Sequence, residues 1–123
     1  MPWYAANIIM FVRFKDGVQD SYPVYENIVL IHADSPETAW ASAEDIGRQA
    51  EGDANGSLKW NGRPAFEAFS GVRKVIEVDH SASEPRSIPA HGSEISYSQF
   101  ELDSDEALKQ LIAGEPVLLR YEE

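Results

Sequence analysis

The sequence predicts an α+β fold: a mostly antiparallel or mixed β-sheet of five to six strands with two helices packed on one face. Three observations carry this expectation. Apolar residues alternate from Trp3 to Phe14, Ser35-Pro36-Glu37 opens an alanine-rich stretch with helical spacing, and Asn61-Gly62 sits between two strand-like runs.

The first run places Tyr4, Ala6, Ile8, Met10, Val12 and Phe14 on one side of an extended chain, and the mixed set Trp3, Ala5, Asn7, Ile9, Phe11 and Arg13 on the other. Lys15-Asp16-Gly17 ends it. A second strand is expected from Tyr22 to Ala33, and Ile28-Val29-Leu30-Ile31, apolar on both faces, predicts a central position in the sheet. Ser35 then offers a capping hydroxyl, Pro36 suits the first helical position, and Glu37 faces the positive end of the helix dipole. Ala39, Ala43, Ile46 and Ala50 recur at helical spacing with Trp40 beside them, a thin stripe that lets the helix lie close to a sheet. Gly52 to Gly56 ends this helix.

Leu58-Lys59-Trp60 and a strand from Pro64 flank Asn61-Gly62, the strongest short hairpin signal. The run from Ala65 to Val78 is long for one strand, and Gly71 within it marks a bulge or bend. Asp79 to Gly92 reads as a long loop. A strand from Glu94 to Leu102, a helix from Ala107 to Ala113 closed by Gly114, and a strand from Pro116 to Tyr121 complete the order β-β-α-β-β-β-α-β. Asp34-Ser35-Pro36-Glu37 and Asp103-Ser104-Asp105-Glu106 echo one another; a duplicated strand–helix unit would explain this, and helix-capping chemistry, the favoured account, produces the same letters by itself.

The whole chain, residues 1–123, reads as one globular domain. It has no cysteine, which excludes a disulfide framework, thiolate zinc sites and Cys nucleophiles and fits a reducing cytoplasm. Its opening residues lack a basic leader region, and the longest apolar run, Ile8 to Val12, is far below a membrane span. A soluble, cytoplasmic protein without membrane contact is expected. Ten Lys and Arg against 21 Asp and Glu leave a net charge of −11. Such a surface repels phosphate backbones, so no nucleic-acid partner is expected. The exception would be a small basic patch if Arg63, Arg73, Lys74 and Arg86 cluster.

Trp3-Tyr4-Ala5-Ala6, then Glu26-Asn27-Ile28-Val29-Leu30-Ile31, the helix with Ala39-Trp40 and Ala43-Glu44, and the strand Phe69 to Val78 together carry a resemblance. The chain resembles the bacterial small-domain family catalogued as domain of unknown function 4288. The resemblance extends over Trp3 to Val78 and weakens beyond. It implies no activity, cofactor or catalytic residue.

No P-loop, dinucleotide fingerprint, nucleophile elbow or zincin motif occurs, so no catalytic residue, cofactor or metal ligand is assigned. His32 reads as a packed or edge residue. His80 and His91 bracket the long loop with Asp79 and Glu84 nearby, a candidate ligand or open metal site. The half-buried face of the long strand holds Glu67 and Glu77, which call for partners such as Arg73 or Lys74. The aromatics are the best lead to binding. Trp3, Ile9, Phe11, Tyr25 and Trp60 form the candidate interaction surface, because Tyr and Trp combine large area with a polar handle.

The leading expectation is a non-enzymatic protein-interaction or regulatory module that binds a protein partner or itself, as a homodimer, through an uncovered sheet face or an open edge. One contrasting expectation is a small enzyme or ligand- or metal-binding protein with its site under the 79–92 loop. Another is an acidic inhibitor or immunity-type protein for a basic partner.

Overall fold

The computed structural model describes residues 1–78 and 91–122, and its elements follow the expected order. Strand β1 (Trp3–Phe14) is as predicted, and its two neighbours, β2 (Val24–His32) and β4 (Arg63–Glu77), both run antiparallel to it. With the short β3 (Lys59–Trp60) they form a four-stranded sheet in the order β2-β1-β4-β3. Asn61 and Gly62 both take positive φ, 51° and 75°, the backbone a two-residue hairpin turn needs. The pairing of β1 with β4 shifts register twice, between Asn7 and Ile8 and between Ile9 and Met10, so β4 bulges around Arg73 and Ser70. The second bulge adjoins Gly71, as expected.

The expected central position of β2 is corrected. β2 is an edge strand, and β1 is central. Of the four apolar residues Ile28 to Ile31, Val29 and Ile31 turn toward the core, while Ile28 and Leu30 point to the other face and stay about half exposed. β1 is central because both its faces are covered: Tyr4, Ala6, Ile8 and Met10 on one side, the small Ala5 and Asn7 on the other, are all buried.

Helix α1 (Pro36–Gln49) covers the first face. Ser35 caps it, its hydroxyl accepting from the Thr38 N–H at 3.1 Å, and Glu37 occupies the first turn. The stripe it buries is Ala39, Ala43 and Gly47, with Ile46 and Ala50 left at the surface. The alanines meet Tyr4, Ala6, Ile8 and Met10, with Val29, Phe69, Val72 and Val75 at the margin. Gly47 lies so close to the sheet that a Cβ there would overlap the Phe69 ring.

The remaining strands are shorter than expected and stand apart from the main sheet. β5 (Gln99–Glu101) and β6 (Arg120–Glu122) pair only with each other, and α2 (Asp105–Ala113) links them, capped by Ser104 and closed by Gly114 at φ 80°. The expectation of two helices on one face of the sheet holds for α1 alone. α2 buries no residue and leaves Leu108 and Ile112 exposed, because its strands belong to the ribbon and carry it away from the core. Arg120 ties the ribbon internally, bonded to Glu101 at 2.6 Å and Asp103 at 2.9 Å.

Arg73 joins ribbon to sheet. It ion-pairs with Glu26 of β2, donates to the Ser98 hydroxyl at 3.3 Å and lies 4.5 Å over the Tyr121 ring. Lys74 lies 4.7 Å over Tyr97, and the Ser96 hydroxyl donates to Asn7 Oδ1 at 3.3 Å. Residues 96–98 therefore lie along β1 and β4, with Ser96 on the second face of β1.

Two outcomes test this arrangement. Gly47→Ala gains about 1 kcal/mol of helix propensity but overpacks the core, a cost of about 1–3 kcal/mol, and the net effect in urea unfolding is a loss of stability. In a Phe69→Leu background, where the ring is gone, the same change becomes stabilising. Arg73→Ala releases the ribbon: hydrogen exchange rises at residues 96–101 and 120–122 while protection in β1 and α1 is retained.

Candidate functional site

The expected interaction residues divide between the two faces. Tyr25 stands opposite Met10, and therefore on the α1 side, whereas Trp3, Ile9 and Phe11 point the other way. On that second face Ile9 and Phe11 line a shallow apolar groove of about 330 Å³ with Tyr22, Val24 and Ser70. The Tyr22 ring meets Phe11 edge-on at 5.8 Å. Trp3 lies toward the other end of β1, stacked on His32 at 4.4 Å and 7° between planes, and His32 Nε2 is 2.8 Å from the Met1 carbonyl. His32 is thus an exposed edge residue stacked on Trp3, the edge position read in the sequence.

On the α1 side, beyond the end of the helix, a second groove of about 380 Å³ is lined by Val12, Tyr25, Asn27, Leu58, Trp60 and Glu67. Tyr25 and Trp60 meet edge to face, centroids 5.9 Å apart at 81°. Backbone pairing fixes the floor. Val12 opposes Glu67 in the β1–β4 ladder, and Gly52 exchanges two further bonds with Glu67, at 3.0 and 2.8 Å.

The wall carrying Leu58 and Trp60 is set by Asp53. Its carbonyl accepts from the Leu58 N–H at 2.8 Å, and its carboxylate accepts from the Gly56 N–H at 3.0 Å and pairs with Lys15 at the end of β1. The Lys15 ammonium first, then the Gly56 amide, hold the Asp53 carboxyl below the ordinary carboxylate range.

The carboxylates expected to seek Arg73 do not take it: its described ion pair is with Glu26. Among the described residues no side chain bonds or ion-pairs with the Glu67 carboxylate. Arg63 holds Asp16 and lies 3.9 Å over Phe14, roughly 30 Å along β4 from Arg73 at strand rise, so these two do not form a basic patch. Arg86 lies outside the described residues, as do His80, Asp79 and Glu84. His91 is exposed. No group of three metal-ligating side chains occurs among the described residues, and no described helix is long and apolar enough to cross a membrane.

Sequence reasoning missed the Glu26–Arg73 pair and the roles of Val24, Asn27 and Leu58. The hairpin signal does place Trp60 opposite Arg63. The register joining Val12 to Glu67 has no local signature, because two bulges set it.

Buried Tyr4, 3% exposed, keeps its phenolic proton: burial raises its pKa, with Glu77, Glu37 and Asp34 adding to the shift.

The family model described as Domain of unknown function (DUF4288) matches residues 3–96, past the Val78 limit of the resemblance read in the sequence. No curated protein and no solved structure matches the chain significantly.

The Asp53 clip has a pH signature. A depressed carboxyl contributes stability that is present above its unfolded value, 3.8, and lost as pH falls through the lower folded one. Urea unfolding from about pH 6 to pH 2 shows wild type above Asp53→Asn at the upper end and the two converging below pH 3.8.

Proposed function

The chain belongs to the family described as domain of unknown function DUF4288, and from that premise we propose that this domain is a non-enzymatic interaction module that self-associates through β2. The observation that carries the reading is a strand edge that is open among the described residues and has an apolar surface. β2 pairs with β1 over nine residues in unbroken register, and its second-face side chains Val24, Ile28 and Leu30 are 55, 50 and 47% exposed. An edge that is long, unbulged and apolar is a template for another strand.

The other long strand, β4, is guarded. It bulges twice, Gly52 bridges to Glu67, and the Glu51 carboxylate accepts the Phe69 N–H at 2.9 Å. Among the described residues β2 has no such device. Its single carboxylate, Glu26, is neutralised by Arg73, so a protein of net charge −11 keeps this strand almost uncharged.

A second copy fits the edge by symmetry. Antiparallel pairing across a two-fold axis at Ile28 sets each Ile28 beside its counterpart and Glu26 opposite the partner's Leu30, so no like charges meet. The two four-stranded sheets become one, and the apolar side chains of both copies form one continuous surface. The cysteine-free sequence supports a cytoplasmic setting.

Sedimentation velocity tests this. Wild type runs as a dimer at micromolar concentration, and Ile28→Lys weakens association at least about tenfold while circular dichroism is unchanged. Because the copies repel, added salt strengthens the dimer, the opposite of a complex with a basic partner. A monomer at about 100 μM ends the proposal.

A further inference from the structure

The geometry points to a binding site for a small quaternary ammonium compound in the groove between Tyr25, Trp60 and Glu67. Two observations converge there. The rings of Tyr25 and Trp60 meet edge to face at 81°, and both residues line the groove. A cation set against an open aromatic face there is attracted by the negative charge of that face. The half-buried Glu67 carboxylate lines the same groove and has no hydrogen-bond or ion-pair partner among the described residues.

A carboxylate lined by Val12 and Leu58 needs a counter-charge, and among the described residues no cation is placed to supply it: Lys59 alternates to the opposite side of β3 from Trp60. Lys15 holds Asp53, and Arg63 holds Asp16 and covers Phe14. The occupant therefore brings the charge. One carboxylate beside one amide, that of Asn27, is too few donors for a divalent metal. A methylated ammonium satisfies every wall: its charge faces Glu67 and the rings, and its methyl groups cover Val12 and Leu58. The volume, about 380 Å³, lies at the small-ligand end of the usual pocket range. By contrast, the second-face groove of Ile9, Phe11, Tyr22, Val24 and Ser70 has no charged lining and nothing to select a cation.

Choline is the probe, with 3,3-dimethyl-1-butanol as its uncharged equivalent of the same shape, both titrated into the full chain by calorimetry and ligand-observed NMR. The expected result is saturable choline binding, with the neutral compound at least about tenfold weaker and Glu67→Gln weakening choline by a similar factor. Trp60→Leu removes binding, and circular dichroism confirms that each variant is folded. Equal binding of the two compounds to wild type overturns the site, as does the absence of saturation by about 20 mM choline. Undiminished binding by folded Glu67→Gln overturns it as well.

Discussion

Everything in this fold is arranged to cover β1 on four sides. Its backbone is bonded to β2 along one edge and β4 along the other, and both its faces are buried through Tyr4 to Ile8. A strand so enclosed admits only small neighbours at close approach. On one face α1 answers with Ala39, Ala43 and Gly47, and on the other β1 itself turns small, with Ala5 and with Asn7 bonded to Ser96. Asn7 is fully buried and its Nδ2 finds no partner among the described residues; a buried amide left so costs about 1–3 kcal/mol. What opposes that cost is register: a slip of one residue would drive the amide into the alanine face and Met10 to the opposite one.

The elements most legible in the sequence were those whose signals are local. The alternation of β1, the Ser35 cap and the Asn61-Gly62 turn each depend on a few adjacent residues and appear where they were read. The exchange of edge and centre was not legible, because Ile28 to Ile31 look more buried than Ala5 and Asn7 when judged by hydropathy alone. Burial in a sheet depends on what lies across the face, and for β1 that is a segment some 90 residues distant in the chain.

The candidate surface failed to be one surface for a related reason. Parity assigns Trp3, Ile9 and Phe11 to a common face, but Tyr25 follows a nine-residue connection between β1 and β2, which leaves its face undetermined. A two-residue turn would have fixed it. Glu67 reaches the groove through a ladder bulged at Ser70 and Arg73, of which only the first has an adjacent glycine to announce it.

Period two gives β2 two separate duties. Val24, Ile28 and Leu30 serve the second face and Tyr25 and Asn27 the α1 side, while both sets hang from one edge backbone that is bonded on one side only among the described residues. A strand added along that edge would restrict the backbone that carries Tyr25, and an occupant held against the Tyr25 ring would restrict the backbone that offers its free edge. Each event would leave less freedom for the other to remove, so the two would favour one another, and thermodynamic linkage makes the effect equal in both directions. The coupling needs no change of shape. It would follow from an edge strand that carries the Tyr25 ring on its α1 side while its outer backbone is unpaired among the described residues.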